Sequence, residues 1–301
     1  MLIIPKCKCL TATHIPSNGK LRGFPSCHFS STVNSVPFCV DITQDGERQI
    51  VVKFDSDTDT NILCDIHCSI EKLMMLFEGH FVPLGKMAFS DSDCVSDNLL
   101  EGDAQNRISQ RLPLFNSADF CLYHSFSLVD FDIVLDAKMY ELWNCLLDEM
   151  DIAYQLFLYN LSGDFGVSDT RLAFFVELAE PFVEIVKSRT HYFATLEPGQ
   201  RGTSLKMCVD ALISRYGDTI FDKEFSADYT GFLQTIVKSR NRIMHIKRNQ
   251  TTGNLTGTEN TRYVMKFALL YRRILLDLLG IDFNSYEKRL QKASSFIDNW
   301  K

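Results

Sequence analysis

The feature that most constrains this chain is a change of hydrophobic period near Asp136. From there to the C-terminus apolar residues recur at steps of three and four, the signature of helices that bury one face. Met139, Leu142, Trp143, Leu146, Leu147, Met150, Tyr154, Phe157 and Leu161 mark one long helix. Ser168 opens a second, with the stripe Leu172, Phe175, Val176, Ala179, Phe182, Val183 and Val186, and Pro181 should kink it. Leu205, Val209, Leu212 and Ile213 mark a shorter helix ending near Gly217. A further helix is expected from about Phe225 to about Ile246. Another carries Tyr263, Phe267, Leu270, Tyr271, Ile274 and Leu278 and ends at Gly280, and a last short helix starts after Asn284. Long helices with short connections predict an up-and-down bundle.

The residues before this point read differently. Val36–Ile42 and Arg48–Phe54 are strand-like, with turn chemistry at Gln44-Asp45-Gly46 between them. Ile62–His67 reads as a third strand, Ile70–Phe77 as a short helix, Ser90–Asn106 as an acidic loop, and Phe120–Val129 as a further strand. The fold class expected is α+β: a strand-rich domain over residues 1–132, sensing or regulatory in role, followed by an all-α bundle over 133–301.

Composition narrows the function classes. A net charge of −7 argues against a nucleic-acid-binding surface spread over the whole molecule, so any RNA site must be a local basic patch. No apolar run approaches the ~20 residues needed to span a bilayer, and Leu2-Ile3-Ile4 before Pro5 is too short for a signal peptide. No membrane association is expected, and the chain reads as cytoplasmic. The ten cysteines are scattered. Cys145 and Cys208 read as small core hydrophobes, and neither Cys7-x-Cys9 nor Cys64-x-x-His67-Cys68 has the paired spacing of a zinc site. No metal and no cofactor are expected. His28, His67, His80, His124 and His191 share no spacing and read as ordinary histidines. A phosphate-binding glycine loop, an HExxH pair and a nucleophile elbow are all missing.

The informative segment is Phe225-Ser-Ala-Asp-Tyr-Thr-Gly-Phe-Leu-Gln-Thr-Ile-Val-Lys-Ser-Arg240-Asn241-Arg-Ile-Met-His245. Its stripe of Phe225, Tyr229, Phe232, Leu233, Ile236 and Val237 should continue at position 240, where an arginine stands. A guanidinium on a core-facing stripe is costly unless it is paired or faces a cleft. Asn241 and His245 are four apart and share a face. Arginine before histidine at this distance is common by chance, and Arg22 and His28 match it too, but in a Pro/Gly-bearing, non-helical stretch. Lys238, Arg240, Arg242, Lys247 and Arg248 fall within eleven residues with no acid among them. They read either as a local RNA-binding patch or as a solvated helix end complementing the macrodipole. Arg272-Arg273 would extend the patch.

Arg240-Asn241-Arg242-Ile243-Met244-His245 at a helix end, followed by the helix from Tyr263 to Ile281, resembles a HEPN domain of the ApeA-like branch found in bacterial anti-phage defence proteins. The resemblance covers about residues 136 to 285. It implies a metal-independent endoribonuclease, toxin or defence effector, with Arg240, Asn241 and His245 as catalytic residues. Lys238, Arg242, Lys247 and Arg248 would be its RNA contacts, with a single-stranded RNA or tRNA loop as substrate. It also implies a homodimer, because one histidine per chain cannot supply both the acid and the base. Such a helix end would favour the imidazolium form of His245. The alternative is a non-catalytic HEPN module that binds a protein or RNA. In that reading Arg240 pairs inside the bundle with Glu177, Glu180 or Glu184.

Overall fold

The computed structural model describes residues 6–15, 21, 23, 25–79, 82, 84–90, 127–162, 167–245, 255 and 257–299. Contacts divide the chain into two units, 1–145 and 146–301. The division falls inside a helix, after the turns whose side chains pack on the sheet, rather than at the start of the helical pattern. Trp143 is fully buried and its Nε1 donates to the Ser69 carbonyl at 2.9 Å, while Tyr140 packs edge-on against Phe38.

The first unit is built on a five-stranded antiparallel sheet. Its strands are β1 (Lys6–His14), β2 (Ser26–Val33), β3 (Val36–Asp45), β4 (Glu47–Asp59) and β5 (Leu84–Ser90), in the order β2-β3-β4-β1-β5. The period-two alternation sets one covered face: Phe38, Val40 and Ile42 on β3, and Ile50, Val52 and Phe54 on β4, are buried. Asn34 and Ser35, at φ 50° and 64°, join β2 to β3 in a two-residue turn, a backbone asparagine tolerates better than most residues.

Helix α1 (Thr60–Glu78) occupies the stretch read as a third strand and a short helix. Its side chains repeat at three and four, with Leu63, Cys64, Ile66, His67, Ile70, Leu73, Met74 and Phe77 buried. Asp59 caps it, accepting from the Asn61 amide at 2.8 Å. A six-residue apolar run cannot tell strand from helix; the full 19-residue pattern does. Of the strand expected at 120–129 only residues 127–129 are described, and they are not strand: the Leu128 and Val129 amides donate to the Phe77 carbonyl. The acidic loop expected at 90–106, like His80 and His124, lies almost wholly outside the described residues.

Nine helices follow among the described residues. These are α2 (Phe131–Val134), α3 (Ala137–Ser162), α4 (Ser168–Glu177), α5 (Ala179–Arg189), α6 (Leu205–Tyr216), α7 (Asp222–Ser226), α8 (Tyr229–Met244), α9 (Gly257–Leu278) and α10 (Phe283–Asn299). The long helix α3 is broken at Asp151, whose φ of 39° is non-helical. Cys145 on α3 is exposed rather than core, while Cys208 is buried, and burial pushes its thiol up to about 11.

The expected Pro181 kink is a full division into α4 and α5. Proline has no N–H to give the Glu177 carbonyl and its ring crowds that carbonyl, so the helix turns at Leu178. The helix expected from Phe225 is likewise two, α7 and α8. Asp228 caps the second by accepting from the Gly231 amide at 2.9 Å, and Phe225 is exposed. The last helix is long, 17 residues, started by Asp282, which accepts from the Asn284 amide at 3.1 Å. In the core of this unit Tyr271 lies against Phe182 (4.2 Å between centroids) and donates to the Phe175 carbonyl at 2.5 Å. No helix among the described residues is long and apolar enough to cross a membrane.

Candidate active site

Helix α8 ends in the motif. Its buried face runs Phe232, Leu233, Ile236 and Ser239, one position round from the row expected through 240 and 244. Arg240 therefore stands at the margin of the core, with its side chain 15% exposed. Its Nε donates to Glu177 Oε2 at 2.6 Å and its NH2 pairs with the same carboxylate. Its NH1 donates to Asn241 Oδ1 at 2.7 Å. A guanidinium only donates, so Asn241 must turn its oxygen to Arg240 and keep its amide hydrogens for another partner.

Of the three glutamates considered as partners, Glu177 is the one bound. It is the last residue of α4, at the turn that Pro181 enforces. Glu180 is close by: burial raises its carboxyl above the usual range, Glu177 adds to the rise and Arg240 opposes it.

A small groove runs beside this cluster, lined by Asp169, Leu172 and Ala173 from α4, Ser239, Arg240, Arg242 and Ile243 from α8, and Leu255 and Asn260. Its walls are cross-tied. Buried Asn260 donates to Asp169 and, at 3.2 Å, to the Leu255 carbonyl, and the Leu255 amide donates to Ser239 Oγ at 3.0 Å. His245 follows Met244 as the C-cap of α8, exposed, its amide bonded to the Asn241 carbonyl at 3.1 Å, and it is not among the residues lining the groove. Lys238 and Arg242 are half-buried on α8; Lys247 and Arg248 lie outside the described residues.

Two features of the basic segment differ from the linear reading. Asp169 and Glu177 bring acid to a stretch that has none in sequence. Arg272 and Arg273 do not extend the patch: both are buried, and Arg273 donates to the Tyr216 carbonyl at 2.6 Å and pairs with Asp218. An arginine pair on a helix looks basic in sequence, but its reach lets it satisfy carbonyls and carboxylates inward.

Residues 168–284, which run from the first residue of α4 into α10, match the family model of Apea-like HEPN domains. The helical unit carries an Apea-like HEPN domain. The HEPN match takes in every element that builds the groove: α4 with Asp169 and Glu177, all of α8, and the start of α9 with Asn260. Such an Apea-like HEPN domain belongs to the nuclease- and defence-type modules. Among curated proteins and solved structures, nothing matches the chain.

The first unit holds a second polar cluster, missed in the sequence. His14, at the end of β1, is fully buried; its Nδ1 lies 2.9 Å from the Val82 carbonyl and its Nε2 lies 3.4 Å from Glu71 Oε1. His67 stacks on it with ring centroids 5.2 Å apart. Arg48, opposite His14 in the β1–β4 register, pairs with Glu78. Burial is the first cause of every shift here: it lowers His14 to about 4 and His67 to about 3, and raises Glu71 to about 7. Two signals could have found this cluster: Leu10, Ala12 and His14 alternate on one strand face, and His67 and Glu71 sit four apart on one helix face.

Proposed function

We propose that this chain is a metal-independent RNA endonuclease acting as a toxin or defence effector, with Arg240 and His245 at its centre. The observation that carries the reading is the joined Arg240–Asn241 pair at the end of α8, beside a groove that Arg242 also lines, one helical turn before an exposed histidine. Arg240 has five N–H groups. Glu177 and Asn241 engage the Nε, NH2 and NH1 nitrogens, so the Glu177 contact fixes the direction of the guanidinium and leaves it N–H groups for a phosphate.

RNA supplies its own nucleophile, the 2′-hydroxyl. An imidazole takes the hydroxyl proton as the 2′-oxygen attacks phosphorus. Arg240 stabilises the charge on the phosphorane oxygens, and an acid protonates the departing 5′-oxygen. The products are a 2′,3′-cyclic phosphate and a 5′-hydroxyl. His245 of one chain can be either base or acid, so the scheme calls for two chains with their α8 ends facing one another across a shared site. The RNA contacts would be Lys238, Arg242, Lys247 and Arg248, and the substrate single-stranded RNA or a tRNA loop. Expression in bacteria tests this: the wild-type chain arrests growth, and His245→Ala, folded and equally abundant, does not. Mixing chains that carry Arg240→Ala with chains that carry His245→Ala is expected to restore part of the cleavage.

A second reading is favoured by the Arg240–Glu177 pair itself, which completes the core margin without any reaction. In that case the domain binds a partner, and wild type and His245→Ala act alike on growth.

A further inference from the structure

We propose that His14, His67 and Glu71 form a structural site for a divalent transition-metal ion, zinc in class, inside the sheet unit. The Val82 carbonyl can only accept, so His14 Nδ1 carries the hydrogen, and in the neutral ring Nε2 offers a lone pair. That nitrogen lies 3.4 Å from Glu71 Oε1, itself an acceptor when ionised. The third member is His67, which is 0% exposed, and among the described residues neither of its ring nitrogens has a hydrogen-bond partner. A neutral imidazole sealed from water with both nitrogens unsatisfied loses a donor bond and an acceptor bond at once.

One nitrogen from each histidine and one Glu71 oxygen all lie within 4.8 Å of one another. Three buried donor atoms this close together can be satisfied at once by a single cation once the rings turn toward it. A proton on Glu71 would leave both nitrogens of His67 as they are. A metal ion satisfies a nitrogen of each ring and the carboxylate together. Two histidines and one carboxylate are a ligand set that zinc takes readily. With bonds of about 2.0–2.1 Å, tetrahedral ligand atoms stand about 3.3 Å apart, so atoms up to 4.8 Å apart need to close by as much as about 1.5 Å.

The surroundings suit a metal. The Val82 carbonyl orients the His14 ring, as an outer hydrogen bond does for ligating histidines. The nearby charge of Arg48 is met by Glu78, so it does not stand uncompensated against the ion. Three ligands leave the fourth tetrahedral position to a small molecule such as water, but all three are fully buried, which shields that position from a substrate and makes the role structural: the ion would tie the end of β1 to the middle of α1.

The test uses the full, untagged chain, stripped with chelator and dialysed, then titrated with Co(II) and with Zn(II). We expect one equivalent of Co(II) to bind with visible d–d absorption, Zn(II) to displace it, and Zn(II) to raise the unfolding temperature. His67→Gln and Glu71→Gln should lose all three responses while His28→Gln, at an exposed position, keeps them. No Co(II) uptake by the wild-type chain overturns the proposal, as does an unchanged spectrum in folded His67→Gln. If neither ligand variant folds, the wild-type spectrum decides. Absorption without a thiolate charge-transfer band supports the site, and a strong thiolate band, which would mean ligation by cysteine, contradicts it. If the cluster is only a polar core, His67→Leu keeps or raises the unfolding temperature in chelator and in zinc alike.

Discussion

Two ionic clusters in the helical unit set a cation of one helix against carboxylates of its neighbours, and they differ in how completely the cation is enclosed. Lys266 on α9 is 0% exposed, held by Glu224 at 2.9 and 2.7 Å and by Asp298 at 2.7 Å, so both α7 and α10 close over it. Arg240 on α8 has one carboxylate, Glu177, whose side chain is 37% exposed, and it borders a groove. The first cluster closes one ammonium between two carboxylates and leaves it no exposed surface. The second is held in direction but left open. An ammonium between two carboxylates is an element of structure; a guanidinium fixed on one side and presented on the other has what phosphate recognition needs.

Breaking each cluster should separate the two roles. Lys266→Ala leaves two nearly buried carboxylates facing one another and is expected to cost about 3–5 kcal/mol in urea unfolding. Arg240→Ala, at a partly solvated pair, should cost no more than about 1 kcal/mol. A loss of several kcal/mol at Arg240, equal to that at Lys266, would mean that both clusters are structural.

The metal-free sheet unit offers a second contrast, read through pH. Folding depresses both histidines from 6.5, to about 4 and about 3, so their contribution is present above pH 6.5 and is lost as pH falls toward those values. Glu71 is raised from 4.5 to about 7, so its contribution is present below pH 4.5 and is lost as pH rises through 7. Through most of the window between pH 6.5 and 4.5 the unfolded chain holds close to two protons on these histidines, while the folded unit holds about one, on Glu71. Stability in chelator should therefore fall over that window by about 1–3 kcal/mol, one net proton being worth roughly that much across two pH units. His67→Leu should remove most of this slope, and an unchanged slope would place its origin elsewhere.

Smaller effects sharpen the picture at α8. Asp228→Ala removes the cap on the Gly231 amide and should cost about 1 kcal/mol by thermal unfolding. Glu177→Gln removes the charge that Arg240 shares and should tighten binding of a single-stranded RNA a few-fold at low salt, a gain that shrinks as salt screens it. Fluorescence anisotropy at two ionic strengths reads this, and weaker binding would show that aiming Arg240 needs the charge of Glu177 and not only its hydrogen bond.

The sequence carried more of the helical unit than of the sheet unit, for physical reasons. Long three-four stripes such as those of α6 and α9 are redundant over many turns, so their existence survives local irregularity. Their breaks at Asp151, Leu178 and Ala227 depend on single residues, and only Pro181 announces one. The sheet unit was half legible: β3, β4 and the turn at Gly46 stand out, while β1, β2 and β5 are short and polar on one face. At the site, Arg240, Asn241 and His245 could be singled out because an arginine interrupted an apolar row. Asp169 and Asn260, which arrive from other helices, carry no local signal; His14 and His67 each fall on a periodic buried face, but nothing local joins the two across 53 positions of chain.

The most direct test incubates purified wild-type, Arg240→Ala and His245→Ala proteins with single-stranded RNA in EDTA and resolves the product ends. The account predicts cleavage by the wild-type chain, fragments ending in 2′,3′-cyclic phosphate, and a loss of at least about a hundredfold in each variant, the scale expected for removing an acid–base or a charge-stabilising group. Cleavage that disappears in EDTA and returns with magnesium, or that persists undiminished in His245→Ala, would contradict it.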